Sequence, residues 1–181
     1  MTAHNVLAIG DSRTAVTLGL WIPLLQTEKN IEFPEVPTRI AGDGWKSTDV
    51  ESVIDARLAA RNETPEYVFI NLGVTDYAIT SEADYKTAML YVIDAVHTKY
   101  PSAKIYTAKP WKKDDGGWSD IFAGYIDDII ASRPGVAYLG HDERVWLEGG
   151  DDGATMTTDG RHYTAAGQTE CAAQWRSVIG I

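Results

Sequence analysis

Short apolar runs alternate with amphipathic stretches along the chain. Five runs rich in β-branched and aromatic residues have the length of β-strands and span residues 5–9, 38–41, 67–72, 104–108 and 136–139. Between them, apolar residues recur at helical spacing, as at Val50, Val53, Ile54 and Leu58, and residues 164–179 are predicted to form a closing helix. Five strand–helix units predict a parallel sheet with helices on both faces, which is a doubly wound α/β fold.

Polar positions mark the starts of helices and the loops. Thr48 followed by Glu51, and Ser81 followed by Asp84, match the capping box that begins many helices. Two long segments, residues 109–118 and 140–163, lack a clear period and follow predicted strands. Loops at the carboxyl ends of parallel strands build the binding site in this class of fold. These two segments are therefore predicted to form the walls of a site.

The length and composition fit a single globular domain. The 181 residues are enough for a full core, and no repeat or linker divides them, so residues 1–181 are predicted to form one domain. A net charge of −10 disfavours binding to nucleic acid or to an anionic membrane surface, so neither is expected as a partner. A monomer and a small homo-oligomer are both compatible with this composition.

Cysteine usage and the N-terminal residues bear on the cellular compartment. Cys171 is the only cysteine, which excludes an intrachain disulfide. No run approaches the ~20 apolar residues that are needed to cross a bilayer. Residues 1–5 contain neither a basic region nor a long apolar stretch, so no secretory signal is visible. The chain is expected to be cytoplasmic unless a leader was removed from it.

A serine lies where the first predicted strand ends, in the segment Gly10-Asp11-Ser12. A serine hydroxyl needs a base to become a good nucleophile. His162 can accept the proton of Ser12, and Asp159, three residues earlier, can orient the imidazole. The backbone N–H groups of Ser12 and Gly44 are candidates for an oxyanion hole. Each of these residues follows a predicted strand, so a parallel sheet is expected to gather them at one edge.

Four segments resemble the motif blocks of the SGNH (GDSL-like) hydrolase superfamily, and the resemblance covers essentially the whole chain. They are Gly10-Asp11-Ser12, Gly44-Trp45-Lys46-Ser47-Thr48, Gly73-Val74-Thr75-Asp76 and Asp159-Gly160-Arg161-His162, with Gly42 as an alternative register for the second. The resemblance implies a three-layer, flavodoxin-like SGNH hydrolase fold. It also implies hydrolysis of carboxylic esters.

The third block departs from the family pattern at Thr75. The family has an asparagine there, whose side-chain amide donates to the oxyanion, whereas threonine offers one hydroxyl on a shorter side chain. Three accounts stay open: Thr75 donates through its hydroxyl, water or another group fills the gap, or the enzyme is weakened. We keep Thr75 as a candidate oxyanion donor beside Ser12 and Gly44.

Aromatic and basic residues near the predicted site suggest how a substrate binds. Trp45, Trp111 and Trp118 fall near the predicted rim, where an indole suits stacking on a sugar ring, although ordinary loop packing explains them equally well. Arg13 can bind a carboxylate or a sugar hydroxyl of the substrate, or it can pair with a neighbouring aspartate.

No metal or cofactor is expected. The segments Asp114-Asp115-Gly116 and Asp151-Asp152-Gly153 lack the full spacing and the distant glutamate of a calcium loop. No cluster of histidines and cysteines suggests zinc. The Gly10-Asp11-Ser12 segment lacks the lysine of a phosphate-binding loop.

Together these patterns predict a serine esterase that hydrolyses short-chain carboxylic esters, such as O-acetyl groups on carbohydrate, through an acyl-enzyme intermediate. The tryptophans, and the lack of a long apolar loop to sheath a fatty chain, favour a short acyl group. Two alternatives stay open. One is a lysophospholipase or thioesterase of the same superfamily, and the other is a non-catalytic carbohydrate-binding protein on the same fold.

Overall fold

A parallel sheet, five strands wide, carries the fold. The computed structural model describes residues 4–15, 19–26, 31–32, 39–77, 79–113, 117–147 and 155–180. The strands are β1 (His4–Gly10), β2 (Ile31–Glu32), β3 (Arg39–Ala41), β4 (Tyr67–Asn71), β5 (Lys104–Lys109) and β6 (Ala137–Asp142). Their spatial order is β2-β1-β4-β5-β6, β3 also pairs with β1, and all of these pairings are parallel. The predicted doubly wound α/β fold is confirmed.

The strands β2 and β3 share one edge of β1. β2 pairs with the start of β1 at His4 and Asn5, and β3 pairs with its end from Ala8 to Gly10. Strand β4 occupies the opposite edge of β1. The six strands therefore fill five positions, as the sequence predicts, although the two-residue β2 is too short to be seen in a hydrophobic pattern.

Helices cover both faces of this sheet. They are α1 (Trp21–Gln26), α2 (Ser47–Ala59), α3 (Glu82–Lys99), α4 (Trp118–Ser132), α5 (Glu143–Leu147) and α6 (Ala165–Ile179). Successive side chains of a strand point to opposite faces. Leu7 and Ile9 of β1 accordingly join a core with α2, α3 and α4. Val6 and Ala8 join a second core with α1, α5 and α6.

The two capping predictions have different outcomes. Ser81 is the N-cap of α3, and its hydroxyl accepts a hydrogen bond from the backbone N–H of Asp84, as predicted. The box predicted at Thr48 is wrong, because α2 already begins at Ser47 with Lys46 as its N-cap. The backbone N–H of Ser47 donates to Asp76, which belongs to a loop distant in sequence.

Within the described ranges, no helix has the length and apolar character that a bilayer-spanning segment needs.

Candidate active site

Ser12 lies in the turn that follows β1, at the carboxyl edge of the sheet. The turn is tight, because the backbone N–H groups of Thr14 and Ala15 both donate to the carbonyl oxygen of Asp11 at 3.0 Å. Gly10 allows this geometry, since an added Cβ would lie 2.2 Å from Thr14 Oγ1 and 2.6 Å from the carbonyl oxygen of Asn71. The turn therefore holds Ser12 in one place while only 4% of the residue is exposed.

His162 reaches Ser12 from a loop 150 residues further along the chain. Its Nε2 atom lies 3.0 Å from Ser12 Oγ, and its Nδ1 atom lies 2.7 Å from Asp159 Oδ2. The carboxylate favours the tautomer with the proton on Nδ1. Nε2 is then left as the acceptor, so the hydroxyl of Ser12 donates to it.

Asp159 is fixed by its own loop. Its Oδ1 atom accepts hydrogen bonds from the backbone N–H groups of Arg161 at 3.0 Å and His162 at 2.7 Å. Partial burial works to raise the pKa of Asp159, but the hydrogen bonds from the backbone and ring of His162 outweigh it. The pKa is lowered to about 2. Asp159 is therefore ionised near neutral pH, as a residue that orients an imidazole must be.

Besides Ser12, the candidate oxyanion donors are Gly44 and Thr75, which lie in two loops that are joined to each other. Gly44 follows β3 with a φ of +72°, a conformation that favours glycine, and Thr75 follows β4. Asp76 joins the two loops, because its carboxylate accepts from Ser47 Oγ at 2.7 Å and from the backbone N–H of Ser47. Among the described residues, none accepts a hydrogen bond from the N–H groups of Ser12 or Gly44.

Asn71 is the nearest asparagine in sequence to the position where the family has one. Its side-chain amide donates to the hydroxyl of Tyr163 at 3.3 Å, and only 2% of the residue is exposed. The Asn71 amide is therefore hydrogen-bonded to Tyr163 in the protein interior. Thr75, which is partly exposed, keeps its place as the candidate third donor.

Arg13 lies below the site rather than at its surface, which corrects the expectation that it binds substrate. Only 1% of the residue is exposed, and its guanidinium forms an ion pair with Glu143, whose side chain is also fully buried. The partner of Arg13 is thus a glutamate distant in sequence and not a neighbouring aspartate. A guanidinium enclosed in this way has no face to offer a ligand.

The three rim tryptophans have different environments. Trp111 is 4% exposed and packs in the core beside α1, α5 and α6, so its indole is not available for stacking on a sugar. Trp45 and Trp118 are half-buried at the carboxyl edge of the sheet. The Trp45 indole lies over Gly42, and the Trp118 ring lies 5.9 Å from the ring of Phe122. These two stay candidates for contact with substrate.

Three residues with structural roles at the site are not predicted from the sequence. Glu143 and Tyr163 surround the guanidinium of Arg13, and Asp76 joins the loops of Gly44 and Thr75. Asp76 belongs to a recognised motif block, but the motif gives no indication of its partner. No local signal marks Glu143, because its partner lies 130 residues away.

A metal site is not evident in the part of the chain that the structure describes, where no group of three His, Cys, Asp or Glu side chains is placed to hold an ion. Residues 114–116 and 151–153, the fragments compared with calcium loops, lie outside the described residues.

Solved structures resemble the chain over almost its whole length. The acetylxylan esterase Axe2 from Geobacillus stearothermophilus has 16% identity and a TM-score of 0.75, with 99% of this chain and 95% of that chain covered. A carbohydrate esterase of family 3 from Talaromyces cellulolyticus has 17% identity and a TM-score of 0.74, with 97% and 96% covered. TesA has 21% identity and a TM-score of 0.74, with 98% of both chains covered.

These likenesses establish the fold. The chain has the SGNH hydrolase fold that its sequence motifs predict. No protein-family model matches the sequence, and no curated protein matches it either.

Proposed function

We propose that the protein is a serine esterase that hydrolyses short-chain carboxylic esters, O-acetyl groups on carbohydrate above all. One observation carries the proposal. Ser12 Oγ, the His162 ring and the Asp159 carboxylate form a continuous hydrogen-bonded chain, with distances of 3.0 and 2.7 Å. This is the arrangement that activates a serine for acyl transfer.

In the first half of the reaction, Ser12 Oγ attacks the ester carbonyl carbon while His162 Nε2 takes the hydroxyl proton. Asp159 holds the imidazole and stabilises the imidazolium that forms. The negative charge that develops on the carbonyl oxygen is held by the N–H groups of Ser12 and Gly44, with the Thr75 hydroxyl as a third donor. His162 then protonates the departing alkoxide, which leaves an acyl group on Ser12.

The second half uses the same residues. His162 Nε2 takes a proton from a water molecule, and the resulting oxygen nucleophile attacks the acyl-enzyme carbonyl. Collapse of the tetrahedral intermediate returns the proton to Ser12 Oγ and releases the carboxylic acid. Each turnover therefore consumes one water and produces one alcohol and one acid.

Two features support a short acyl group on a carbohydrate. Trp45 and Trp118 are partly exposed at the edge of the sheet where Ser12 lies, and an indole face suits the C–H face of a sugar ring. Among the structures that resemble this chain are an acetylxylan esterase and a carbohydrate esterase.

A fluorophosphonate probe and a series of chromogenic esters test the proposal. The probe should label the wild-type protein stoichiometrically at Ser12, and Ser12→Ala should abolish both labelling and turnover. Because Ser12 lies in a turn held by backbone hydrogen bonds, Ser12→Ala should change the melting temperature little. Steady-state rates should fall from acetate through butyrate to octanoate esters.

Each other outcome has a definite meaning. A folded wild-type protein that is not labelled contradicts the esterase and favours a carbohydrate-binding protein. Turnover retained by Ser12→Ala refutes the assignment of the nucleophile. A preference for octanoate contradicts the short acyl group and favours a lysophospholipase or thioesterase.

A further inference from the structure

One buried arginine joins three segments at the carboxyl edge of the sheet. Arg13 follows Ser12 directly, and its Nε atom donates to the carbonyl oxygen of Arg161 at 2.7 Å, in the residue before His162. One terminal nitrogen of its guanidinium donates to the carbonyl oxygen of Trp111 in the loop after β5. The other contacts the carboxylate of Glu143. The hydrogen bond to Arg161 therefore lies one residue away from each partner of the Ser12–His162 contact.

Glu143 completes this buried cluster. Its Oε2 atom accepts from the backbone N–H of Trp111 at 2.9 Å and from Arg13, and its Oε1 atom accepts from the hydroxyl of Tyr163. Tyr163 follows His162 in sequence, and its ring lies 4.9 Å from the guanidinium carbon of Arg13. The residues on both sides of His162 thus contact the same ion pair, Arg161 through its backbone carbonyl and Tyr163 through its side chain.

The energetics of a buried ion pair favour a role in positioning other residues over a role in stabilising the fold. Burying two charges costs about as much as their attraction returns, so a buried pair adds little net stability compared with apolar side chains of similar size. Burial works to lower the pKa of Arg13, but the Glu143 charge outweighs it and raises that pKa above its usual value. The guanidinium is therefore always charged and keeps all of its donors.

We propose that Arg13, held by Glu143, is a positioning residue that fixes the distance between Ser12 Oγ and His162 Nε2. Ser12 and His162 come from segments 150 residues apart, and the bond from Arg13 to Arg161 sets the position of one segment against the other. The bond from Arg13 to Trp111 attaches this contact to the loop after β5. This inference rests on the proposed esterase activity. Misplacing a reacting group by about 1 Å can cost ~10²-fold in rate, so the bonds matter for turnover.

Arg13→Lys tests the inference, because lysine keeps the charge beside Glu143 but cannot reproduce the fork that reaches two carbonyl oxygens. We expect kcat for an acetate ester to fall by at least ~10-fold, since proximity effects depend steeply on geometry. KM should stay within about twofold of the wild-type value, because Arg13 touches no substrate. The rate at which a fluorophosphonate labels Ser12 should fall in parallel with kcat.

A second buried arginine–glutamate pair supplies the matched control. Arg61 and Glu63 form an ion pair with 6% and 4% of their side chains exposed, and they precede β4 at the amino edge of the sheet. Arg61→Lys should lower the melting temperature without changing kcat. Loss of kcat in Arg13→Lys but not in Arg61→Lys, both measured below their melting temperatures, separates positioning from stability.

Tyr163→Phe is a second test of the positioning role, and it is used if the Arg13→Lys variant does not fold. This change removes the hydroxyl that donates to Glu143 and accepts from the Asn71 amide, and it keeps the ring against Arg13. A fall of several-fold in kcat at constant KM is expected. A folded Arg13→Lys with kcat within about twofold of wild type overturns the positioning role, as does an unchanged kcat in Tyr163→Phe. A wild-type protein that neither turns over esters nor labels at Ser12 instead contradicts the proposed function.

Discussion

At the scale of the residue, short motifs located the candidate catalytic residues and missed the buried residues that support them. Ser12, Asp159 and His162 could be singled out because each lies in a local pattern with a chemical meaning, and the structure brings them within hydrogen-bond distance. Arg13 was expected to contact substrate or an aspartate. Its partner Glu143 is 130 residues away, and only folding reveals that both are buried.

Thr75 is the residue whose role most needs measurement. Thr75→Val keeps the branched shape and removes the hydroxyl, so kcat for an acetate ester should drop by ~10²-fold if that hydroxyl holds the oxyanion. Thr75→Ser keeps the hydroxyl and serves as the matched control, with kcat expected to stay within a few-fold of wild type. Equal rates for Thr75→Val and the wild-type protein would remove Thr75 from the oxyanion hole.

At the scale of the element, periodicity predicted the strands and helices better than their ends. The predicted runs at residues 67–72 and 104–108 differ by one residue from β4 and β5. The start of α2 was predicted from Thr48 and Glu51, but the helix begins at Ser47, whose N–H and hydroxyl are both bound by Asp76. A local capping rule cannot include a carboxylate that another loop supplies.

Ser47→Ala tests whether this contact at the start of α2 affects the candidate active site. Losing the hydroxyl deprives the buried Asp76 carboxylate of its 2.7 Å hydrogen bond, which should cost about 1–3 kcal/mol in the free energy of unfolding. We also expect a lower kcat, because the same contact attaches the loop of Gly44 to the loop of Thr75.

Ser81→Ala is the matched control for Ser47→Ala. It removes the N-cap hydrogen bond of α3 to the Asp84 N–H, which should cost about 1 kcal/mol. Denaturant unfolding should show a loss for both variants, whereas steady-state kinetics should show a lower kcat for Ser47→Ala alone. Equal kcat values in the two variants would show that the contact with Asp76 only stabilises the fold.

At the scale of the whole molecule, the pH dependence of stability reflects charges that folding buries. Asp11 is 1% exposed, and its burial raises its pKa to about 7, against the opposing charge and backbone N–H of Arg13. The folded protein then holds a proton that the unfolded chain releases near pH 4. From about pH 4 to about pH 7, this group therefore makes the protein less stable as the pH rises, by up to about 1.4 kcal/mol per pH unit.

Asp11→Asn should remove this part of the slope, because asparagine resembles the protonated acid and can still accept from the Arg13 N–H. Urea unfolding at pH 4, 5, 6 and 7 measures it. Asp159 is the opposite case. The lowered pKa of Asp159 gives stability that is lost only as the pH falls from about 4 towards 2, so the titration of this carboxyl group does not contribute to the slope between pH 5 and 7. A wild-type slope retained in Asp11→Asn contradicts the burial of a protonated Asp11.

Because Arg13 donates to backbone carbonyl oxygens, its hydrogen bonds tolerate changes of sequence at the residues that accept them. Main-chain oxygens are the same whatever side chain a residue carries, so the bonds to Trp111 and Arg161 do not specify the side chains at either position. Under the proposed positioning role, substitutions at exposed positions of the Trp111 and Arg161 loops should leave the arrangement of Ser12 and His162 intact. If the proposed esterase activity is confirmed, such a scaffold suits directed evolution, in which the loops are mutated around a fixed Ser12–His162 pair.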